Sequence, residues 1–394
     1  MSQSTEATHH THPEKMRSRA AIDLLLIAVF CAALVLPMTD NAFDLDPTPE
    51  RQPQDPLPWS ALLEPSSSLS SWFARAKSVT NLRLGFRDTL IRWHGTVGVQ
   101  WLGVSTTPRV ELGRDGWFFM GEQTMEGHRR IRPFSDFTVR SAAARLERQR
   151  EWLANHGIHY LVVPVPSKQS IYPERVAEHH ATRAHLPSRL DQLIAAVHED
   201  TRVDLIDLRP ALSSARAQGS EVYHRYDLHW NARGAYVGYR EIFERLAKRW
   251  GRLTPRPPDA FEPGSVAREG DLARMLGLRE VFVDHAPLLR PRFESSAVIA
   301  GSGQSVRTYR PRFMVPFSTR TSHGQRLRAM IFRDSFGDEL VPFAAEHFAH
   351  ARFVWHDSLD ILTRGRDSIE ALRPNLVIHL FGEHVLSRVG LATP

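Results

Sequence analysis

Ile158 to Val165 is a nearly continuous apolar run, and Leu327 to Phe332 and Asn375 to Leu380 are mostly apolar. A strand that is apolar at successive positions is buried on both faces, the normal state of a parallel strand covered by helices on either side. The intervening segments carry apolar residues at helical spacing: Thr138 to Asn155, closed by Gly157, then Leu186 to Val197, then Ala232 to about Trp250, for which Asn231 is a suitable cap. Val203 to Leu208 supplies another strand and Pro210 to Ala217 a short helix. This alternation predicts an α/β fold, a doubly wound and mostly parallel sheet flanked by helices. With 394 residues, 42% of them hydrophobic, the chain has ample material for such a core.

The remaining stretches decorate that sheet. Glu111 to Phe119 reads as two strands around a tight Asp-Gly turn. Pro257 to Pro263 reads as a loop, Glu269 to Leu278 as a short helix, and Val281 to Met314 as an insertion with short strands. A helix is expected from Gly337 to Phe348, a strand from Arg352 to Trp355, and a helical turn from Ser368 to Leu372.

The N-terminal region points out of the cytoplasm. Residues 1–19 form a polar tail with His9, His10, His12, Lys15, Arg17 and Arg19, and Ala20 to Met38 is almost wholly apolar except Asp23. Basic residues before that run and Asp40, Asp44 and Asp46 after it place the amino terminus inside. Small residues are ill placed for cleavage after Pro37, which favours an uncleaved transmembrane helix. Residues 39–71, rich in Pro and Ser, form a spacer, and residues 72–394 an exported domain. The single cysteine, Cys31, lies in the apolar run, so the exported part makes no disulfide. A net charge of +6 and a pI near 9.7 raise the question of nucleic acid, but the basic residues are dispersed and no nucleic-acid motif occurs.

Two stretches carry chemistry. Arg333-Asp334-Ser335-Phe336-Gly337 puts a serine at the carboxyl end of a predicted strand, where its hydroxyl is exposed and backbone N–H groups are near enough to hold an oxyanion. Asp-Ser is also a common helix cap, so the serine alone does not decide between capping and catalysis. The second stretch, Asp227-Leu228-His229-Trp230-Asn231, precedes a helix. A general base presents one imidazole nitrogen to a nucleophile while a carboxylate accepts the other N–H, and Asp-x-His supplies both from one segment. Ser335 as nucleophile, His229 as general base and Asp227 as its orienting acid form the candidate set. Lys168 and Tyr172, on the loop after the first long strand, and Arg333 are candidates for lining the substrate site. His379, Glu383 and His384 do not have the spacing of His-Glu-x-x-His, and no metal or nucleotide cofactor is suggested.

Taken in order, Gly-Arg-Asp-Gly-Trp-Phe-Phe at 113–119, Val-Pro-Ser-Lys and Ile-Tyr-Pro-Glu within 165–174, Asp-Leu-His-Trp-Asn at 227–231, Gly-Asp-Leu-Ala-Arg-Met-Leu-Gly at 270–277 and Arg-Asp-Ser-Phe-Gly at 333–337 resemble the alginate O-acetyltransferase family of AlgJ and AlgX type. The resemblance covers about 80–394 and implies an SGNH-hydrolase-like fold. It implies an inner-membrane protein with a periplasmic catalytic domain that takes acetyl from a membrane-bound O-acyltransferase, works with other exopolysaccharide-assembly proteins, and esterifies hydroxyls of an alginate-like polysaccharide. Ser335, His229 and Asp227 match the family's nucleophile, base and acid. Arg333 stands where the SGNH Gly-Asp-Ser block has Gly, and the oxyanion donors are expected to be the backbone N–H of Ser335 and its neighbours. An acetyl esterase would use the same residues, and a non-catalytic polysaccharide-binding or assembly factor would need none of them.

Overall fold

A computed structural model describes residues 13–43, 45, 58–66, 68–81, 85–180, 186–311, 314–322 and 324–389. It divides into two compact units, up to Val97 and from Gly98 onward. In the first, one helix over Pro13–Phe43 contains the whole apolar run and extends beyond both its ends. Among the described residues, no helix is long and apolar enough to cross a membrane. Most of the expected polar tail and much of the expected spacer lie outside the described residues. Within the described part of the spacer, Trp59–Leu63 forms a 3-10 turn, and helices follow over Leu69–Asn81 and Arg87–Thr96. Phe86 donates its N–H to Asp40 Oδ2 at 3.0 Å.

The second unit is the α/β domain. Its strands are β1 (Val110–Leu112), β2 (Phe118–Met120), β3 (His159–Val165), β4 (Asp204–Leu205), β5 (Phe261–Glu269), β6 (Val283–Pro291), β7 (Val298–Ile299), β8 (Phe317–Arg320), β9 (Gln325–Arg333), β10 (Phe348–Trp355) and β11 (Leu376–Gly382). Seven form one sheet in the order β4-β3-β11-β9-β10-β8-β7. The first five run parallel, and β8 and β7 add an antiparallel margin.

Both faces of the sheet are covered, as the continuous apolar strands require. Leu161, Val163, Ile331, Ile378 and Leu380 point to one side and pack with Tyr239, Ile242, Phe243 and Leu246 of the helix Ala232–Ala247. Val162, Met330, Phe332, Val377 and Phe381 point to the other and meet Leu146 and Leu153 of Asp136–Asn155, Leu193 and Val197 of Arg189–Asp200, and Ile369 of Leu362–Leu372. Alternation of side chains along each strand thus feeds two cores, the arrangement that defines a doubly wound sheet.

Three local expectations are corrected. The helix expected over 337–348 is three short pieces, a 3-10 turn Ser335–Leu340, a single α turn Val341–Ala344 and a 3-10 turn Ala345–His347. Pro342 is the reason, since its ring removes the N–H that would join the first piece to the second and is tolerated only at a helix start. The strand expected over 203–208 pairs only at Asp204 and Leu205. The loop expected at 257–263 runs into β5, which forms a nine-residue antiparallel ribbon with β6. Pro263 is accommodated there because a two-stranded ribbon leaves one side of each strand without a ladder partner.

Candidate active site

β9 and β11 lie side by side, and their carboxyl ends deliver Ser335 and Gly382 to one edge of the sheet. The turn after β9 is held by Asp334. Its Oδ1 accepts the Phe336 N–H at 3.0 Å, and its Oδ2 accepts the Gly382 N–H at 2.7 Å. The cap read from Asp-Ser is therefore made by the aspartate, and Ser335 is left half-buried with its hydroxyl free for other use.

The Asp227–His229 segment reaches that hydroxyl from 106 residues away. His229 Nε2 lies 2.7 Å from Ser335 Oγ, and His229 Nδ1 lies 2.6 Å from Asp227 Oδ1. Asp227 Oδ1 also accepts the His229 backbone N–H at 2.9 Å, and Oδ2 accepts the Asp271 N–H at 3.2 Å. The structure thus brings Ser335, His229 and Asp227 into one hydrogen-bonded chain. The Phe336 ring meets the imidazole edge-on at 4.8 Å, and Trp230 Nε1 donates to Phe336 O at 2.8 Å. These contacts tie the histidine segment to the serine turn.

Electrostatics follow from burial and pairing. Burial opposes charge on His229, but the Asp227 carboxylate, with Asp271 and Asp334 behind it, outweighs that and holds the imidazole above its ordinary value. Burial likewise opposes charge on Asp227, yet His229 and its hydrogen bonds keep this carboxyl well below the usual range. Such a pair can take a proton from the serine and return it. Asp227, His229 and Asp271 also bring donor atoms within 4.8 Å of one another, as a cation site would. Both imidazole nitrogens are, however, already committed to Asp227 and Ser335.

The expected lining residues are corrected. Lys168 is buried, and its Nζ donates to the carbonyls of His224 (3.0 Å), Arg225 (3.0 Å) and Asp227 (2.7 Å). It fastens the loop that carries Asp227, and burial pushes its ammonium down to about 7 against the pull of Asp227 and Asp284. Tyr172 is also buried, its hydroxyl accepting the Val222 N–H at 2.9 Å. Arg333 lies beneath the serine turn, donating to Asp334 O at 3.0 Å and pairing with Asp338. All three make their hydrogen bonds to the scaffold, as buried cations and hydroxyls do, although Arg333 Nε is left without a partner. The oxyanion expectation narrows too. The Phe336 N–H is taken by Asp334 Oδ1 and the Gly337 N–H by Asp334 O at 3.1 Å.

Sequence reasoning missed three supports, and read a fourth, Glu383, as structural without finding its partners. Asp284 accepts the N–H groups of Arg225 (3.2 Å) and Tyr226 (3.1 Å). Asp271 and Trp230 fix Asp227 and Phe336 as described, and Glu383 joins the ends of β3 and β11 by accepting Ser167 N–H at 2.7 Å and Ser170 Oγ–H at 2.8 Å. Asp271 and Trp230 stand inside the singled-out motifs, where neighbouring a candidate is a usable signal. Asp284 and Glu383 had no such signal, since both act through long-range contacts.

With this geometry in place, comparison with known proteins is informative. Residues 110–303 match the family model of the SGNH hydrolase-like domain of the acetyltransferase AlgX. That span contains Asp227 and His229 and ends before Ser335. Probable alginate O-acetylases AlgJ are similar in sequence: that of Pseudomonas putida is 29% identical over 188 residues, 46% of this chain and 45% of that protein. That of Azotobacter vinelandii is 26% identical over 250 residues, 61% of each. The chain thus spans about half the length of the first of these relatives. Among solved structures, a DHHW family protein from Eubacterium siraeum has a TM-score of 0.51 at 17% identity, covering 71% of this chain and 95% of that one. Bacillus cereus PatB1 with a sulfonyl adduct has a TM-score of 0.51 at 15% identity, over 70% and 97%. These two support the fold alone. Residues 110–303 thus resemble the AlgX-type SGNH hydrolase-like domain, and the chain is similar in sequence to AlgJ alginate O-acetylases, as the ordered motifs led one to expect.

Proposed function

We propose that this protein is an AlgX-type polysaccharide O-acetyltransferase that works through an acetyl-Ser335 intermediate. The observation that carries the reading is the hydrogen-bonded chain from Asp227 through His229 to Ser335 Oγ. His229 Nε2 removes the Ser335 proton as Oγ attacks the donor ester carbonyl, and the proton is returned to the leaving alkoxide as the carbonyl re-forms. A sugar hydroxyl then attacks the acetyl-serine, giving its proton to His229, which passes it back to Ser335 Oγ. Asp227 holds the tautomer throughout and stabilises the imidazolium. The Ser335 N–H is the backbone donor assigned to the tetrahedral oxyanion, since those of Phe336 and Gly337 are engaged.

The acceptor class, an exported alginate-like polymer, follows the names of the AlgJ relatives. A membrane-bound O-acyltransferase as acetyl donor, other exopolysaccharide-assembly proteins as partners, and a periplasmic catalytic domain complete the reading. The inner-membrane anchor rests on Ala20 to Met38, whose Leu24, Leu25, Ile27, Phe30 and Leu36 side chains all stand exposed on the helix. The full chain in detergent, given an activated acetyl ester and an acidic oligosaccharide, should form acetyl-serine at Ser335 and acetylate the sugar. Ser335→Ala and His229→Ala should abolish both. Retention of acetylation in either variant would overturn the assignment, and free acetate outrunning acetylated sugar would convert the reading to an esterase.

A further inference from the structure

Glu111, on β1, faces the 3-10 turn Glu178–His180. His179 Nε2 lies 3.0 Å from Glu111 Oε1, and His180 Nε2 lies 3.1 Å from Glu111 Oε2. One donor atom from each residue falls within 4.8 Å of the other two. Both nitrogens of the His180 ring are buried and make no hydrogen bond, although a carboxylate oxygen stands beside one of them. The His180 ring is thus left without a hydrogen bond while standing next to a carboxylate.

We propose that Glu111, His179 and His180 form a binding site for one borderline divalent cation of the zinc class. Two imidazoles and a carboxylate are the donor set that such ions take. Tetrahedral coordination with bonds of about 2.0–2.1 Å sets donors roughly 3.3 Å apart, close to the separation of either imidazole nitrogen from its nearer Glu111 oxygen. His179 is exposed, with 68% of its side chain accessible, so the fourth position opens to water. The carboxylate would bind through one oxygen, releasing one of the two present contacts. The ion would clamp the turn to β1, where Arg114 already pairs with Glu178 and Arg175 with Asp115. The site is separate from the serine chemistry and would add stability to the domain by binding only its folded form.

The test uses the full chain in detergent, with His9, His10 and His12 replaced by Ala so that the tail contributes no imidazole. After chelation and dialysis, titration with zinc chloride followed by metal analysis should show one zinc per chain and a rise in the thermal midpoint. His180→Ala and Glu111→Gln should lose the stoichiometric zinc and the midpoint rise, while circular dichroism and serine acetylation by an activated ester remain those of the parent. His179→Ala, at an exposed position, serves as the variant least able to disturb folding and should also lose the zinc. Absence of stoichiometric zinc in the parent, or its retention in His179→Ala and His180→Ala, would overturn the proposal.

Discussion

Replacing Asp227 by asparagine probes the proton chain with almost no change of shape. Asp227 serves three donors: Oδ1 takes the His229 backbone N–H and the ring Nδ1, and Oδ2 takes the Asp271 N–H. A carboxamide cannot serve all three. With its oxygen toward His229, its NH2 faces the Asp271 N–H, losing one buried hydrogen bond at a cost of about 1–3 kcal/mol in stability. Turned round, its NH2 donates to Nδ1 and forces the ring proton onto Nε2, which then cannot accept from Ser335. In that tautomer the loss should approach ~10⁴-fold in kcat, about 5 kcal/mol of transition-state stabilisation.

The variant should also change the pH profile. Neutral His229 is the active form, and its raised pKa places the acid limb of kcat/KM above its ordinary 6.5 in the parent. Removing the Asp227 charge should move the limb to lower pH. For stability the signs are opposite for the two partners. The contribution from His229 is complete below its unfolded value near 6.5 and is lost as pH rises through the raised folded value; that from Asp227 is complete above its ordinary 3.8 and is lost as pH falls toward its depressed folded value. The assay is initial-rate hydrolysis of an activated acetyl ester by the full chain from pH 5 to 10, beside denaturation curves. Activity within tenfold of the parent and an unmoved limb would refute the argument. Asp271, whose Oδ2 lies 3.8 Å from His229 Nδ1, would then be the carboxylate to examine.

Two further substitutions test the scaffold around that chain. Lys168→Met strands three carbonyls beneath the Asp227 loop, two of them fully buried, and displacing the loop by about 1 Å should lower kcat on the order of a hundredfold. Because the Lys168 pKa is depressed to about 7, the parent carries a burial penalty below that pH that fades as pH rises toward 10.5; stability curves of the variant should lack this rise. Gly270→Ala would place a Cβ 2.0 Å from Tyr226 O, in the turn that presents the Asp271 N–H to Asp227. Overpacking should destabilise by about 1–3 kcal/mol in denaturant melts and reduce acetylation in step. A melt unchanged from the parent would contradict the close approach.

The sheet was readable because its strands are apolar at successive positions, a pattern that only burial on both faces explains. Its crossover helices were readable from their apolar spacing, closed by Asn231 before one of them and by Gly157 after another. The 337–348 segment was misread because apolar spacing is preserved through Pro342, while the hydrogen-bond ladder is not. In the site, Asp227, His229 and Ser335 stood out by residue type and local position. Lys168 stood out for the wrong reason: a lone lysine after a strand looks like a ligand to substrate, and only three-dimensional contacts reveal the carbonyls that claim it. The β5–β6 ribbon was obscured by Pro263, which argues against a strand unless one knows that the partner lies on one side only.

The main sheet ends in two-residue strands at both margins, β4 over Asp204–Leu205 and β7 over Val298–Ile299. A longer bare margin would offer a row of unpaired amides to a neighbouring copy and invite strand addition. Two residues present too few to seed such growth. A domain of this construction can therefore be crowded on a surface with little tendency to polymerise through the margins of its main sheet.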